Sequence, residues 1–160
     1  MPTTSRLRAP CRDARDTTPT HRIQVRPYLF VYGTLRQTHR HTHQRLLRPA
    51  RFIARGSIFG TLYDLGQYPG VHKTSRRIGR VAGELYELTG EDLGGRLAAL
   101  DRYEGSDFYR ARVLVQLQNG GRHFAWAYIL ANGPPQGAPE IQSGVFRRRV
   151  SRSRVTRRHI

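Results

Sequence analysis

From Tyr109 to Gln118 the chain alternates, with Ala111, Val113, Val115 and Leu117 on one side and Arg110, Arg112 and Gln116 on the other. Asn119-Gly120-Gly121 follows, and then Phe124, Trp126 and Tyr128 alternate in turn. Apolar residues at a period of two define a half-buried strand, and Asn-Gly between two such runs is hairpin chemistry. An antiparallel hairpin near the C-terminus rules out an all-helical fold. Further strands are predicted at Tyr28 to Tyr32, Ala50 to Arg55, Ser57 to Asp64 and Arg80 to Leu88. The second and third of these flank Gly56, and the first is apolar enough to be buried on both faces. Only short links separate the strands, so pairing must be mostly antiparallel. The expected fold class is α+β: a small, mixed, mostly antiparallel β-barrel or curved sheet with one or two short helices.

Two segments are predicted helical. Residues 37–49 carry His39, His41, His43, Leu46 and Leu47 and stop at Pro49. The second helix starts after Thr89, read as its cap, with Glu91 and Asp92 near the positive end of the dipole. Leu93, Leu97 and Leu100 share one face of it, Gly94-Gly95 weakens it, and Gly105 ends it. Gly66 to Gly70, with Tyr68-Pro69-Gly70, reads as a turn, and residues 71–79 as a basic loop. After Asn132, the run Gly-Pro-Pro-Gln-Gly-Ala-Pro interrupts all periodicity.

The charge of +17 is unevenly spread. Residues 1–26 hold six Arg against two Asp, and residues 143–160 hold seven Arg and no acid. Both ends lack apolar periodicity and are expected to be disordered, leaving 27–142 as the folded domain. All basic residues but Lys73 are Arg, a bias read as genome composition. The alternative is a polyanion-binding tail. No basic–aromatic interleaving in the domain sequence favours nucleic acid. Cys11 is the single cysteine, so no intrachain disulfide can form and a cytoplasmic location is expected. No apolar run is long enough to span a bilayer as a helix.

Glu104 is the first candidate for chemistry. It continues the stripe Leu93, Leu97, Leu100 by one further step of four, at a helix end. A carboxylate turned toward apolar surroundings loses hydration, so its pKa rises toward neutrality and it can trade protons. The alternative is a Glu that caps the helix or pairs with an arginine. The turn Tyr32-Gly33-Thr34-Leu35 is the second candidate. Glycine permits unusual φ and close approach, and successive N–H groups there can hold an anion. It is not a phosphate-binding P-loop, because Arg36-Gln37-Thr38 lacks the Gly-Lys-Ser/Thr element. Tyr103, Phe108 and Tyr109 flank Glu104 as core or pocket-wall residues, and Tyr109 could offer its hydroxyl to a ligand. Asp64, Asp101 and Asp107 read as turn and helix-end residues. The three histidines read as solvated surface, so no metal site is expected.

The run Phe30-Val31-Tyr32-Gly33-Thr34-Leu35-Arg36 resembles the opening signature of the gamma-glutamylcyclotransferase-like family, in its AIG2-like branch. Gly60-Thr61-Leu62-Tyr63-Asp64-Leu65-Gly66 with Tyr68-Pro69-Gly70, Val81-Ala82-Gly83-Glu84-Leu85-Tyr86, Leu100-Asp101-Arg102-Tyr103-Glu104-Gly105 and Tyr109-Arg110 resemble later blocks in the family's order. The likeness runs from about residue 28 to about residue 130. It implies a small barrel with a pocket at one end and no cofactor. It implies substrate binding at Tyr32, Gly33, Thr34 and Leu35 and proton transfer by Glu104. The implied reaction converts a γ-glutamyl amine or amino acid to 5-oxoproline and free amine. Relatives often close with Ser-Gly-Asp-Trp, where this chain has Ser143-Gly144-Val145-Phe146. Two other functions compete: a non-catalytic relative that binds a small anion, and polyanion binding through the basic ends.

Overall fold

The computed structural model describes residues 27–36, 47–73 and 79–147. The expected helix over 37–49 falls largely outside them, as do most of the expected basic loop, residues 1–26 and residues 148–160. Seven strands and one helix follow in chain order among the described residues: β1 Tyr28–Val31, β2 Ala50–Phe59, β3 Thr61–Asp64, β4 Pro69–His72, β5 Arg80–Leu88, α1 Leu93–Glu104, β6 Phe108–Leu117 and β7 Arg122–Leu130. Five of the strands close a barrel in the order β1-β5-β2-β6-β7. Every pairing in it is antiparallel except β1 with β7, which meet at Leu29 and Trp126. β3 and β4 form a separate two-stranded ribbon. The barrel, rather than an open curved sheet, is the fold.

β1 is buried on both faces. Phe30 points into the barrel with Val81, Leu85 and Ile129. Leu29 and Val31 point outward into a second cluster with Leu100 of α1. Leu93 and Leu97 pack against that cluster as partly buried neighbours. The leucine stripe is therefore what seats α1 on the barrel.

Three sequence expectations move, and the fold also decides which side of β7 faces inward. The aromatic side of β7 is not the barrel lining: Ala125, Ala127 and Ile129 face inward, while Tyr128 and Trp126 join the cluster under α1. A five-stranded barrel is too narrow for large rings on every inward position. Gly56 lies inside one continuous β2 rather than between two strands. A Cβ there would come within 2.7 Å of the Gln116 carbonyl, so glycine allows the squeeze against β6. The break falls at Gly60 instead. The turn after β3 closes early, with Leu65 N–H donating to Tyr68 O at 3.0 Å, so Pro69 and Gly70 open β4. Lastly, α1 is capped by Asp92, whose carboxylate accepts from Gly95 N–H at 2.8 Å, whereas the Thr89 hydroxyl donates to Pro49 O.

The domain also extends past residue 142. Ile141 N–H donates to Leu62 O at 2.7 Å, and Ala82 N–H to Gly144 O at 2.8 Å. Gly144 has φ 63°, and a Cβ there would run into the Arg80 carbonyl. This turn delivers Phe146, 4% exposed, into the barrel core. Apolar burial was missed because the surrounding arginines mask one isolated aromatic. Phe146→Ala is expected to cost about 3–5 kcal/mol in denaturant unfolding. A loss below about 1 kcal/mol would mean that the segment merely rests on the barrel.

Candidate active site

β1 ends at Val31 and the chain turns at once, with Arg36 N–H donating to Gly33 O at 3.2 Å. α1 ends opposite, where Gly105 N–H donates to Asp101 O at 3.1 Å and Gly105 takes φ 73°. Between these two chain ends lies a narrow pocket of about 40 Å³. Tyr32, Gly33, Thr34, Leu35 and Glu104 all line it, together with Tyr68, Pro69, Phe108 and Tyr128. Five of the six residues singled out in the sequence are thus brought to one place.

Tyr109 is the exception. It is 48% exposed and does not line the pocket. Adjacent residues on a strand face opposite sides, so once Phe108 turns to the pocket, Tyr109 turns away. Gly33 also differs from expectation in detail. Its φ is not positive. A Cβ there would sit 3.1 Å from Pro69 Cγ, so glycine serves close approach to the β3–β4 ribbon.

Burial lifts the Glu104 carboxyl to about 7. No second cause is needed: the group sits among aromatic walls and loses hydration. Its charge in turn acts on the surrounding phenols. Tyr32 is raised above its ordinary value by burial first and by Glu104 second. Tyr103 is raised by burial and by Glu104, against a hydrogen bond with Thr34 that ties α1 to the turn. Tyr128 is raised by burial and by its bond to Asp101.

These phenols also brace the walls. Tyr32 Oη donates to Tyr128 O at 2.5 Å and accepts from Val71 N–H at 3.4 Å. One side chain thereby joins β1, β4 and β7. Tyr128 Oη donates to Asp101 Oδ1 at 2.8 Å, and Arg110 lies 3.5 Å from Asp101 Oδ2. Sequence reasoning missed Tyr128, Tyr68 and Pro69, because only the fold brings β7 and the β3–β4 turn to Glu104. Asp101 is more than a helix-end residue: it holds Tyr128.

Among the described residues no cluster of His, Cys, Asp or Glu is arranged to hold a metal. His39, His41 and His43 lie outside the described residues. Basic–aromatic interleaving does occur in the domain, across strands rather than along them. Arg112 stacks over Phe124 and Trp126, and Arg110 over Trp126, at 5.2–5.5 Å. Among the described residues no helix is long and apolar enough to cross a membrane.

A small mixed barrel with a half-buried carboxylate facing a glycine turn defines a class of small-ligand enzymes, and comparison with known proteins narrows it. The sequence profile described as "Gamma-glutamyl cyclotransferase, AIG2-like" matches residues 29–148. The chain belongs to that family. It is 37% identical over 109 residues to the gamma-L-glutamyl-butirosin B gamma-glutamyl cyclotransferase of Niallia circulans, covering 64% of this chain and 66% of the relative. Among solved structures it resembles YkqA of Bacillus subtilis, with a TM-score of 0.59 and 26% identity, over 76% of this chain and 39% of that one. An AIG2-like protein from Mus musculus gives a TM-score of 0.57 and 25% identity, over 71% of this chain and 84% of that one. The chain thus spans just under two thirds of the Niallia relative and well under half of YkqA.

Proposed function

We propose that the protein is a γ-glutamyl cyclotransferase that closes the γ-glutamyl group of an amide to 5-oxoproline and releases the amine. The observation that carries this is Glu104, a half-buried carboxyl lifted to about 7, in the same narrow pocket as the turn Tyr32 to Leu35. A general base is most effective when its pKa lies near the working pH.

Each residue has a part in this reading. The Glu104 carboxylate takes a proton from the substrate's α-ammonium. The freed amine attacks the γ-carbonyl carbon, a C–N bond forms and the carbonyl oxygen takes negative charge. Backbone N–H groups of the turn at Gly33 to Leu35 stabilise that oxygen or hold the substrate's carboxylate. The Glu104 proton passes to the leaving nitrogen, the original amide bond breaks, and Glu104 takes up the second proton that the ring nitrogen gives up as 5-oxoproline and amine separate. Both reacting groups belong to one flexible molecule, so a tight pocket that folds it contributes much of the rate. Membership of the family and the name of the Niallia relative support the reading. A cytoplasmic location, inferred from the single cysteine, belongs to the same proposal.

The test is 5-oxoproline release from a panel of γ-glutamyl amino acids and γ-glutamyl amines. Release from at least one member is expected. Folded protein that releases none would overturn the reading.

A further inference from the structure

Beside the narrow pocket lies a larger cleft of about 530 Å³. Tyr68 lines both. Its ring meets Phe108 edge-on with centroids 6.0 Å apart, and Phe108 lines the narrow pocket. Tyr68 is the wall the two cavities share, and Phe108 backs it from the side of the narrow pocket. The far side of the cleft is the proline-rich loop after β7, including Pro134 and Pro135. Its walls are joined by backbone bonds: Asp64 N–H to Pro139 O at 2.9 Å, Ala131 N–H to Asp107 O at 2.9 Å, and Ala138 N–H to Pro135 O at 3.0 Å. The cleft is therefore a built feature, with walls fixed to the strands that form the catalytic pocket.

Its charge runs against that of the chain. The sequence holds 28 Lys and Arg against 11 Asp and Glu. Among the described residues lining the cleft there is no Arg, Lys or His, and the ionisable pair is Asp64 and Asp107. The pocket at Glu104, about 40 Å³, has room for little beyond the reacting end of a substrate. A group attached to the amide nitrogen needs room outside that pocket, and the larger cleft lies across Tyr68 from it.

We propose that this cleft is the leaving-amine subsite and that Asp64 and Asp107 select amines carrying a second cationic group. The proposal rests on the cyclotransferase reading above and narrows its substrate class. A γ-glutamyl α-amino acid would bring its free carboxylate toward two carboxylates and is disfavoured. A diamine brings an ammonium.

Two amides of equal length decide the matter: the mono-γ-glutamyl amide of 1,4-diaminobutane, and that of pentylamine, in which a methyl replaces the ammonium. The wild type is expected to favour the diamine amide by about fivefold or more in kcat/KM, with the preference shrinking as salt screens the pair. In Asp107→Asn the ratio is expected to fall toward one. Asp64→Asn should lower it too. Because Asp64 also accepts from Gly66 N–H at 2.9 Å, the Asp107 variant carries the decision. Turnover of both amides at equal rates by the wild type, or an unchanged ratio in Asp107→Asn, overturns the subsite and leaves the reaction standing. Release of 5-oxoproline from neither amide, nor from the wider panel, defeats the reaction and the subsite together.

Discussion

Glu104→Gln is expected to lose turnover by about a thousandfold and yet to be the more stable protein above neutral pH. The two effects share one cause. Burial holds the carboxyl protonated until about 7, whereas in the unfolded chain it ionises near its ordinary 4.5. Between those values the folded chain binds more protons than the unfolded chain, so this group makes stability fall as pH rises. The cost is absent below about pH 4 and complete above about pH 8, where it reaches at most about 3 kcal/mol. Glutamine fills the same space without ionising. Denaturant unfolding of the variant should match the wild type at about pH 4 and exceed it at about pH 8. The wild type's kcat/KM should decline as pH falls through about 7, because the protonated carboxyl is no longer a base. A variant that keeps normal turnover would remove Glu104 from the chemistry. One that is less stable at about pH 8 would show that the carboxylate is compensated in the fold.

How much of this was legible in the sequence depends on the range of each signal. The hairpin β6–β7 and the helix α1 rest on local periodicity, and both were readable. Glu104 was readable because it extends the stripe ending at Leu100, the residue that seats α1 on the barrel. The turn at Gly33 was readable from composition, though the reason for its glycine was not: Pro69, the residue it must avoid, lies on another element. Tyr128 and Phe146 were illegible as structural parts for the same reason. Tyr128 becomes a wall only when β7 is laid beside β1, and Phe146 becomes core only when Gly144 turns the chain across Arg80 and Ala82. Tyr109 was misplaced because closeness to Glu104 in sequence does not tell which of two neighbouring aromatics faces inward; strand alternation decides that. The acid-lined cleft was invisible for a further reason. Asp64 and Asp107 each look like ordinary turn residues, and their chemistry lies in sharing a cavity.

Arg36→Met is expected to destabilise the protein by about 3–5 kcal/mol and to weaken catalysis as well. Arg36 is the residue that closes the turn after β1. Its Nε lies 3.7 Å from Glu84 Oε1 on β5, and Glu84 is 1% exposed. Tyr86 Oη donates to the other carboxylate oxygen at 2.8 Å. Glu84 is thus a buried carboxyl group, and one cation beside it comes from the turn after β1. Removing that cation alone withdraws part of the compensation of a desolvated carboxylate, the costly way to break a buried pair. Removing both charges, as Arg36→Met/Glu84→Gln, should restore most of the lost stability, because a neutral amide can still accept from Tyr86. Catalysis should respond differently. Neither variant keeps the tie between the turn and β5, so kcat/KM should stay about tenfold low in both, since small misplacements of binding groups are expensive in rate. Stability recovered without recovery of kcat/KM would assign Arg36 a positioning role. If both recover together, the pair serves the fold alone. If the double variant is as unstable as the single one, buried charge is not what makes the single substitution harmful.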